Sequence, residues 1–445
     1  MLVEKVAPLD VDEDITTTNQ ESCDYEIFKP KSQGCDEFCI VEMKKLSKFR
    51  CRVEEAILGN TLFSKKKKNL FSKGNGKKNE ENLKDITLWG VPLLPSKGHQ
   101  GTDVVLMKFL KAKDYKVSDA FKMLRRMLKW RRDFGANQIL VENFDPGLEN
   151  TWLFNGKDKV GRPMCYNVLV EFVNKKSGNN FNKKSGNNFN ENKDEFLKCR
   201  VHCLEKGIQN LDFKPGGLDS IVLITDLKNA PGHAMNEVRW ISKKMLILLH
   251  DNYPGIVHKN FIINVPAWFL ALHALNLRLI TQKSKNKFIF VKSSKVTETL
   301  LKLDKFRWRC RYATPQNLLV QYGGLMRESD TEFSTDDNVL ELNARANTTE
   351  RIQIPVNEAE VTMTWDVTVV GYEVSYKEEF IPEDDCSYKV LLQNEKKMGA
   401  SIRNSFHIRE PGKIVITIGN WTFKKKKVFY RYKSRPSVPM YMLIK

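Results

Sequence analysis

The most chemically distinctive stretch of the chain runs from Ala267 to Lys287. Ala267-Trp268-Phe269-Leu270-Ala271-Leu272-His273-Ala274-Leu275 is apolar around its whole circumference when wound as a helix. Such a helix is either enclosed by the core or covers something greasy, and Trp268, Phe269, Leu272 and Leu275 are its bulkiest contacts. A few residues later, Lys283-Ser284-Lys285-Asn286-Lys287 places cations beside a hydroxyl. An apolar cover next to ammonium groups suits an amphiphile with an acyl body and a phosphate head. A core helix followed by a solvated lysine loop is the plainer alternative. A second concentration of charge is Lys424-Lys425-Lys426-Lys427. Neighbouring residues of a strand point to opposite faces, so all four can meet one anionic membrane surface only from a loop or an edge. A solubilising lysine run is the competing reading.

Signatures of catalysis are missing. The chain has no Gly-x-Ser-x-Gly, no His-Glu-x-x-His and no phosphate-binding Gly-x4-Gly-Lys-Ser/Thr loop. Gly74 and Gly76 begin a Gly-x-Gly, but far from any strand-to-helix turn. The seven His are scattered and the nine Cys lack zinc-type spacing. The expectation is a protein without enzymatic activity, metal or cofactor. An N-terminus without an apolar signal core points to a cytoplasmic protein with reduced thiols.

The charge has a location. Of the formal +19, residues 81–330 hold +17. Residues 1–40 net −7, residues 41–80 net +8, and residues 331–445 are nearly neutral. Within that last segment, 331–390 nets −10 and 391–445 nets +11. A +17 middle segment asks for an anionic partner. Nucleic acid is disfavoured, because no aromatic residues interleave with the lysine runs to stack on bases.

The elements that must position these residues follow from periodicity. Residues 1–85 read as a disordered charged lead-in with one short helix over Val41–Leu58. Helices are expected over Val104–Ala112 and from an N-cap at Ser118 to a stop at Gly135. On the second, Val117, Ala120, Phe121, Leu124, Met127 and Leu128 form the apolar face, and Lys122, Arg125, Arg126, Lys129, Arg131 and Arg132 read as solvated. The octapeptide Asn-Lys-Lys-Ser-Gly-Asn-Asn-Phe at 174–181 repeats at 182–189, as a tolerant exposed loop would.

Beyond it, strands over Ile221–Thr225, Phe261–Val265 and Lys287–Val291 alternate with helices over 198–210, 236–249, 267–280 and 295–303. That alternation implies a mainly parallel sheet flanked by helices. Asn264, Pro266, His273, Asn276 and Arg278 interrupt 261–280 too often for a membrane span. Residues 331–445 alternate apolar and polar side chains in short runs bounded by Gly, Pro and Asn. They predict a separate small antiparallel β-sandwich.

Seven short pieces, in this order, resemble the CRAL-TRIO lipid-binding family. They are Lys108–Lys113, Lys129-Trp130-Arg131, Gly161-Arg162-Pro163, Asp226-Leu227-Lys228, Tyr253-Pro254, Ile263-Asn264-Val265-Pro266 and Val320–Gly324. Leu88–Leu94, Asp226–Gly232, Tyr376–Phe380 and Lys424–Lys427 leading into Tyr430-Arg431-Tyr432 further resemble the plant patellin subfamily, which adds a C-terminal GOLD domain.

The resemblance implies an α/β CRAL-TRIO domain with its N-terminal helices over 86–327 and a GOLD β-sandwich over 330–436. It implies a bound phospholipid or other hydrophobic ligand. It also implies phosphoinositide binding and lipid transfer at membranes in vesicle trafficking, including cell-plate formation at cytokinesis, by a cytoplasmic, peripherally membrane-associated protein. By the same resemblance, Lys113, Ser284 and Lys287 are headgroup contacts, and helix 267–280 is the gate over the pocket. The GOLD domain could bring trafficking proteins, so an adaptor with a vestigial pocket is the second reading. The chain departs from many relatives at Gly255, where they carry Glu, and at Arg278-Leu279, where they carry Pro-Phe.

Overall fold

The computed structural model describes residues 33–63, 83–145, 152–168, 188–228, 235–266, 268–269, 285–301, 313–371, 373–398 and 401–436. The chain divides into two compact units, Met1–Lys44 and Lys45–Lys445. The α/β and β parts fall together in the second.

Helix α1, Gln33–Leu58, starts well before the expected Val41. Its second half is not part of a disordered lead-in: Phe49, Val53 and Ile57 are fully buried, and so is Leu62 just beyond it. They pack into one core with α2, Gly101–Ala112, and α3, Val117–Phe134. Their i, i+4, i+8 spacing was visible, but the partner that makes it pay is distant in sequence. Part of the basic face of α3 is covered by this same segment and is not solvated. The Arg125 guanidinium donates to the Leu62 carbonyl at 2.6 Å, and Arg132 lies 4.8 Å over the Phe63 ring. Helix α3 ends at Gly135 as expected, with φ +75°. Its N-cap is Lys116, with no side-chain cap, so Ser118 sits inside the first turn.

The α/β layer is a five-stranded sheet in the order β3-β4-β5-β6-β7. The strands are Trp152–Lys157, Pro163–Val168, Ile221–Asp226, Val257–Ile263 and Phe288–Val291. The first pair is antiparallel and the rest parallel. Every residue of β5 is buried, as a central parallel strand covered on both faces requires. Helices α4, Asn188–Ile208, and α5, Met235–Asn252, precede β5 and β6, and α6, Val296–Leu301, follows β7. The duplicated octapeptide lies outside the described residues, except that its last two, Asn188 and Phe189, open α4.

A two-stranded hairpin, β1 Thr87–Leu88 and β2 Val91–Pro92, turns at Trp89-Gly90 with φ +54° and +77°. Both central residues are left-handed, the type I′ pattern. The turn lays the Trp89 ring 5.7 Å from Phe213.

The C-terminal part is two four-stranded antiparallel sheets, β13-β10-β15-β8 and β12-β11-β14-β9. The strands β8 to β15 are Leu340–Ala344, Thr348–Val356, Val361–Val369, Ser375–Pro382, Val390–Lys397, Ile402–Ile408, Gly412–Asn420 and Lys426–Pro436. Trp365, Val367 and Val369 point inward to a common core with Ile354, Ile416 and Val428. Glu378 is fully buried there. It accepts from the Trp365 indole at 2.7 Å, from Asn404 at 2.7 Å and from the Tyr376 hydroxyl.

The alternate residues of β10 face the α/β layer instead of water. Asp366 and Thr368 are fully buried, as is almost all of Phe429 and Arg431 opposite them. Val370 and Phe429 join the core formed by Tyr166, Ile224, Leu318 and Tyr322. The two parts share a buried interface: the outer face of one sheet is buried against the segment that leads into it. Register explains how a carboxylate survives there. Arg403 on β13 and Arg431 on β15 are the direct cross-strand neighbours of Asp366. They donate to it at 2.7–2.8 Å and 2.9 Å, and Arg327 of the connecting segment donates at 2.7 Å. Arg431 also reaches the Leu325 carbonyl at 2.7 Å. Asp330 accepts from Arg403 at 2.7 and 2.8 Å. Burial would raise the Asp330 pKa, but these bonds and two backbone N–H groups outweigh it and hold the carboxyl at about 2.

Removing one member of such a cluster leaves buried charge without compensation. Asp366→Ala is expected to lower the unfolding free energy by about 3–5 kcal/mol, measured by urea denaturation of the full chain.

Candidate functional site

The cavity lies over the sheet face that carries Leu223, Thr225, Asn260 and Ile262, with Met245, Leu246 and Leu249 of α5 across from them. Phe269 closes one side and is almost fully buried. Its wall is apolar except for Ser242 of α5 and a polar strip across three parallel strands, where the Thr225 hydroxyl donates to Asn260 at 3.0 Å beside Asn167. In this conformation it measures about 60 Å³. That is several times the ~10–15 Å³ one water needs, so an acyl chain requires its walls to move apart. Leu and Met side chains on α5 make this possible with rotamer changes.

Positive groups gather at β6, β7 and the end of α5. His250 of α5 has its pKa lowered, chiefly by burial; Asp251 pulls the other way, and the charges of Lys113 and Lys287 lower it further. His258 of β6 is lowered from 6.5 to about 4, by burial and then by Arg162, Lys259 and Lys287, against Asp219. Lys113, the C-cap of α2, and Lys287, which precedes β7, are 174 residues apart yet act on the same imidazole. Lys287 is held in place by its backbone, whose carbonyl accepts from the Asn260 N–H at 2.7 Å.

Of the residues singled out from sequence, Phe269 lines the cavity and Trp268 stands next to it in the chain. Trp268 is half-buried and packs against the same cluster as Phe269. Ser284, Leu272 and Leu275 lie outside the described residues. The two histidines were missed. Isolated His residues in strand and helix ends carry no spacing signal, and only folding brings Lys113 and Lys287 to His250, and Arg162 and Lys287 to His258. The α5 wall was more visible, since Met245, Leu246 and Leu249 sit at helical spacing.

The seven short pieces turn out to be framework. The Asp226 carboxylate accepts from Asn264 at 2.7 Å, from the Lys228 N–H at 2.8 Å and from the Tyr322 hydroxyl at 3.0 Å. One acid thus joins three pieces. Arg131 and Glu205 form a buried two-pronged pair at 2.6 and 3.0 Å, which Tyr253 completes at 2.6 Å. Lys108 is no surface cation: it is buried and donates to Asp219 and to the Gly255 carbonyl. This also accounts for Gly255. Its φ is +69°, and a Cβ there would stand 3.2 Å from the Lys108 stem, so the backbone and the lysine both exclude a larger residue. Gly323 and Gly324 are equally constrained, with a Cβ at Gly324 falling 1.9 Å from the Leu318 carbonyl.

Three family models match the chain. They are the CRAL/TRIO N-terminal domain over residues 63–126, the CRAL/TRIO domain over 150–324 and the Patellin-1-like C-terminal GOLD domain over 345–426. Patellin-3 of Arabidopsis thaliana is 35% identical over 416 residues, covering 92% of this chain and 78% of its own. The chain belongs to the patellin family. Patellin-4 of the same plant is 46% identical over 356 residues, 79% of this chain. The match spans only 62% of Patellin-4 itself. A more distant relative, the phosphatidylinositol transfer protein sfh-5 of Neurospora crassa, is 26% identical over 223 residues, 45% of this chain and 58% of its own. Among the described residues, no helix is long and apolar enough to cross a membrane.

The two lowered histidines give this patellin a defined acid response. Between the ordinary pH 6.5 and about 4, the unfolded chain binds a proton at His258 that the folded chain does not. Stability from this group is therefore complete above about 6.5 and falls as the pH drops towards 4. The expected loss is about 2–3 kcal/mol, read as a fall in denaturation midpoint that His258→Gln flattens.

Proposed function

We propose that this patellin is a non-enzymatic lipid-binding and transfer protein that acts at anionic membranes. The observation that carries the reading is an apolar cavity in the α/β layer together with two cations, Lys113 and Lys287, whose charges both reach His250. A phosphatidylinositol or phosphorylated inositide is the ligand class, in keeping with the name of the Neurospora relative, a phosphatidylinositol transfer protein. Lys113, Ser284 and Lys287 take the headgroup, and the segment with Trp268, Phe269, Leu272 and Leu275 covers the acyl chain. In this reading residues 86–327 form the lipid-binding domain and 330–436 the GOLD domain. Of the four lysines expected to meet the membrane together, Lys424 and Lys425 supply a further membrane contact, while Lys426 and Lys427 belong to β15. The process served is vesicle trafficking, including cell-plate formation.

The energetics suit exchange rather than permanent storage. Each methylene is worth ~0.8 kcal/mol in either apolar environment, so moving an acyl chain from bilayer to cavity is close to balance. Headgroup contacts then choose the lipid. A charge-assisted contact contributes about 1.5–3 kcal/mol. Lys287→Ala is accordingly expected to cut phosphatidylinositol transfer between liposomes about tenfold while the uptake of uncharged lipid stays level. Unchanged phosphatidylinositol transfer would remove Lys287 from the headgroup site. Mass spectrometry of lipid extracted from the purified protein tests the cavity itself; an empty cavity favours the trafficking-adaptor reading.

A further inference from the structure

The loop between β14 and β15 carries a surface that the sandwich has no use for. Trp421 is 62% exposed and Phe423 93% exposed. The loop is not slack. Asn420 is fully buried, and its Nδ2 lies 2.8 Å from the Arg345 carbonyl, 2.9 Å from that of Lys424 and 3.2 Å from that of Ala344. Its Oδ1 accepts the Thr422 hydroxyl at 2.7 Å, and the Asn347 N–H donates to the Thr422 carbonyl. These bonds fasten the loop to the β8–β9 turn, so a fixed base holds both rings out into water. Folding alone gives no reason to exclude a phenyl ring from the core, and neighbouring exposed aromatics mark a contact surface.

Register shows what surrounds the rings. Gly419 is level with Ser375 and Thr349, and Ser375 is level with Lys397, so the ends of β14, β11, β9 and β12 share one edge. That edge and its loops expose Arg345, Lys396, Lys397, Lys424 and Lys425, against the nearby acids Glu373 and Glu395. Lys426 and Lys427 are turned elsewhere, towards the Gly371 carbonyl and the Glu341 carboxylate. The lysine run is thus divided: its first half flanks the aromatic rings and its second half belongs to β15.

We propose that Trp421 and Phe423 form an interfacial anchor that enters the headgroup layer of an anionic bilayer, with Lys424, Lys425 and Arg345 contacting lipid phosphates. Aromatic rings settle at the membrane–water boundary, and flanking cations add attraction to an anionic plane. Excess positive charge on a sandwich edge suits a uniformly negative surface better than a protein face of mixed sign. The inference rests on the reading that this patellin works at anionic membranes, but it does not need the cavity.

Flotation of the full chain with phosphatidylcholine vesicles, with and without phosphatidylserine, tests it. Trp421→Ser/Phe423→Ser is expected to weaken partitioning onto phosphatidylserine vesicles about tenfold, a loss that persists at high salt. Lys424→Gln/Lys425→Gln is expected to weaken it about tenfold at low salt, with the difference from wild type vanishing as salt rises. Both variants should melt at the wild-type temperature and carry the same extracted lipid, since these side chains are exposed. Vesicle binding that the aromatic variant loses while the cavity is empty supports the anchor and counts against lipid exchange. An aromatic variant that floats as well as wild type, with its cavity filled, overturns the anchor alone and turns attention to a protein partner.

Discussion

The fold depends on carboxylates that are taken out of water and fully answered. Asp226 sits at the end of the central strand and is reached by Asn264 from the end of β6, by Tyr322 from the glycine turn and by the Lys228 N–H. Tyr322 stacks on Tyr166 with the rings 5° from parallel, and the Gly323 carbonyl next to it accepts from Thr368 of the sandwich. The end of the central strand is thus linked to β10 on the sheet face opposite the cavity, through the Tyr322 hydroxyl and the carbonyl of the next residue. A buried polar group is costly unless every partner is present, which is why the surrounding backbone is so restricted. Asn264 adopts φ +55°, Gly323 φ +85°, and neither glycine of the turn has space for a side chain.

Asp366 plays the same part for the sandwich. Three arginines converge on it from β13, β15 and the connecting segment, and two of them also lie over the Phe333 ring. Guanidinium groups suit this role because they spread several donors over a plane and can stack on a ring while pairing with a carboxylate. The cluster fixes how the β part meets the α/β part. The lysine-bearing edge of the sandwich and the cavity accordingly belong to one compact unit.

Much of the fold was legible from alternation and period. The buried strand expected over Ile221–Thr225 announces itself as an apolar run. Of the strand at Val257–Ile263 only the apolar end was legible, expected over Phe261–Val265, because His258, Lys259 and Asn260 break the pattern. The stop at Gly135 and the small strands after residue 331 follow from turn residues. The misreadings share one cause. Phe49, Val53 and Ile57 form a helical stripe inside a chemically unpromising segment, and Arg125 and Arg132 resemble any solvated basic face. In each case the deciding contact lies far along the chain: α2 and α3 for the stripe, Leu62 and Phe63 for the arginines. Lys108 misleads in the same way, because its partners Asp219 and Gly255 are more than 100 residues away.

Taken alone, the sequence determined the family, the order of elements, the concentration of positive charge in residues 81–330 and the candidate headgroup cations, because these depend on residue type and short spacing. Only tertiary structure decided that the short motifs are framework, that Lys113 and Lys287 act on one histidine, and that the four lysines at 424–427 divide between an aromatic-tipped loop and a paired strand. Those outcomes are set by strand register and by burial. Both arise when distant segments exclude water together, and neither is written in any local run of residues.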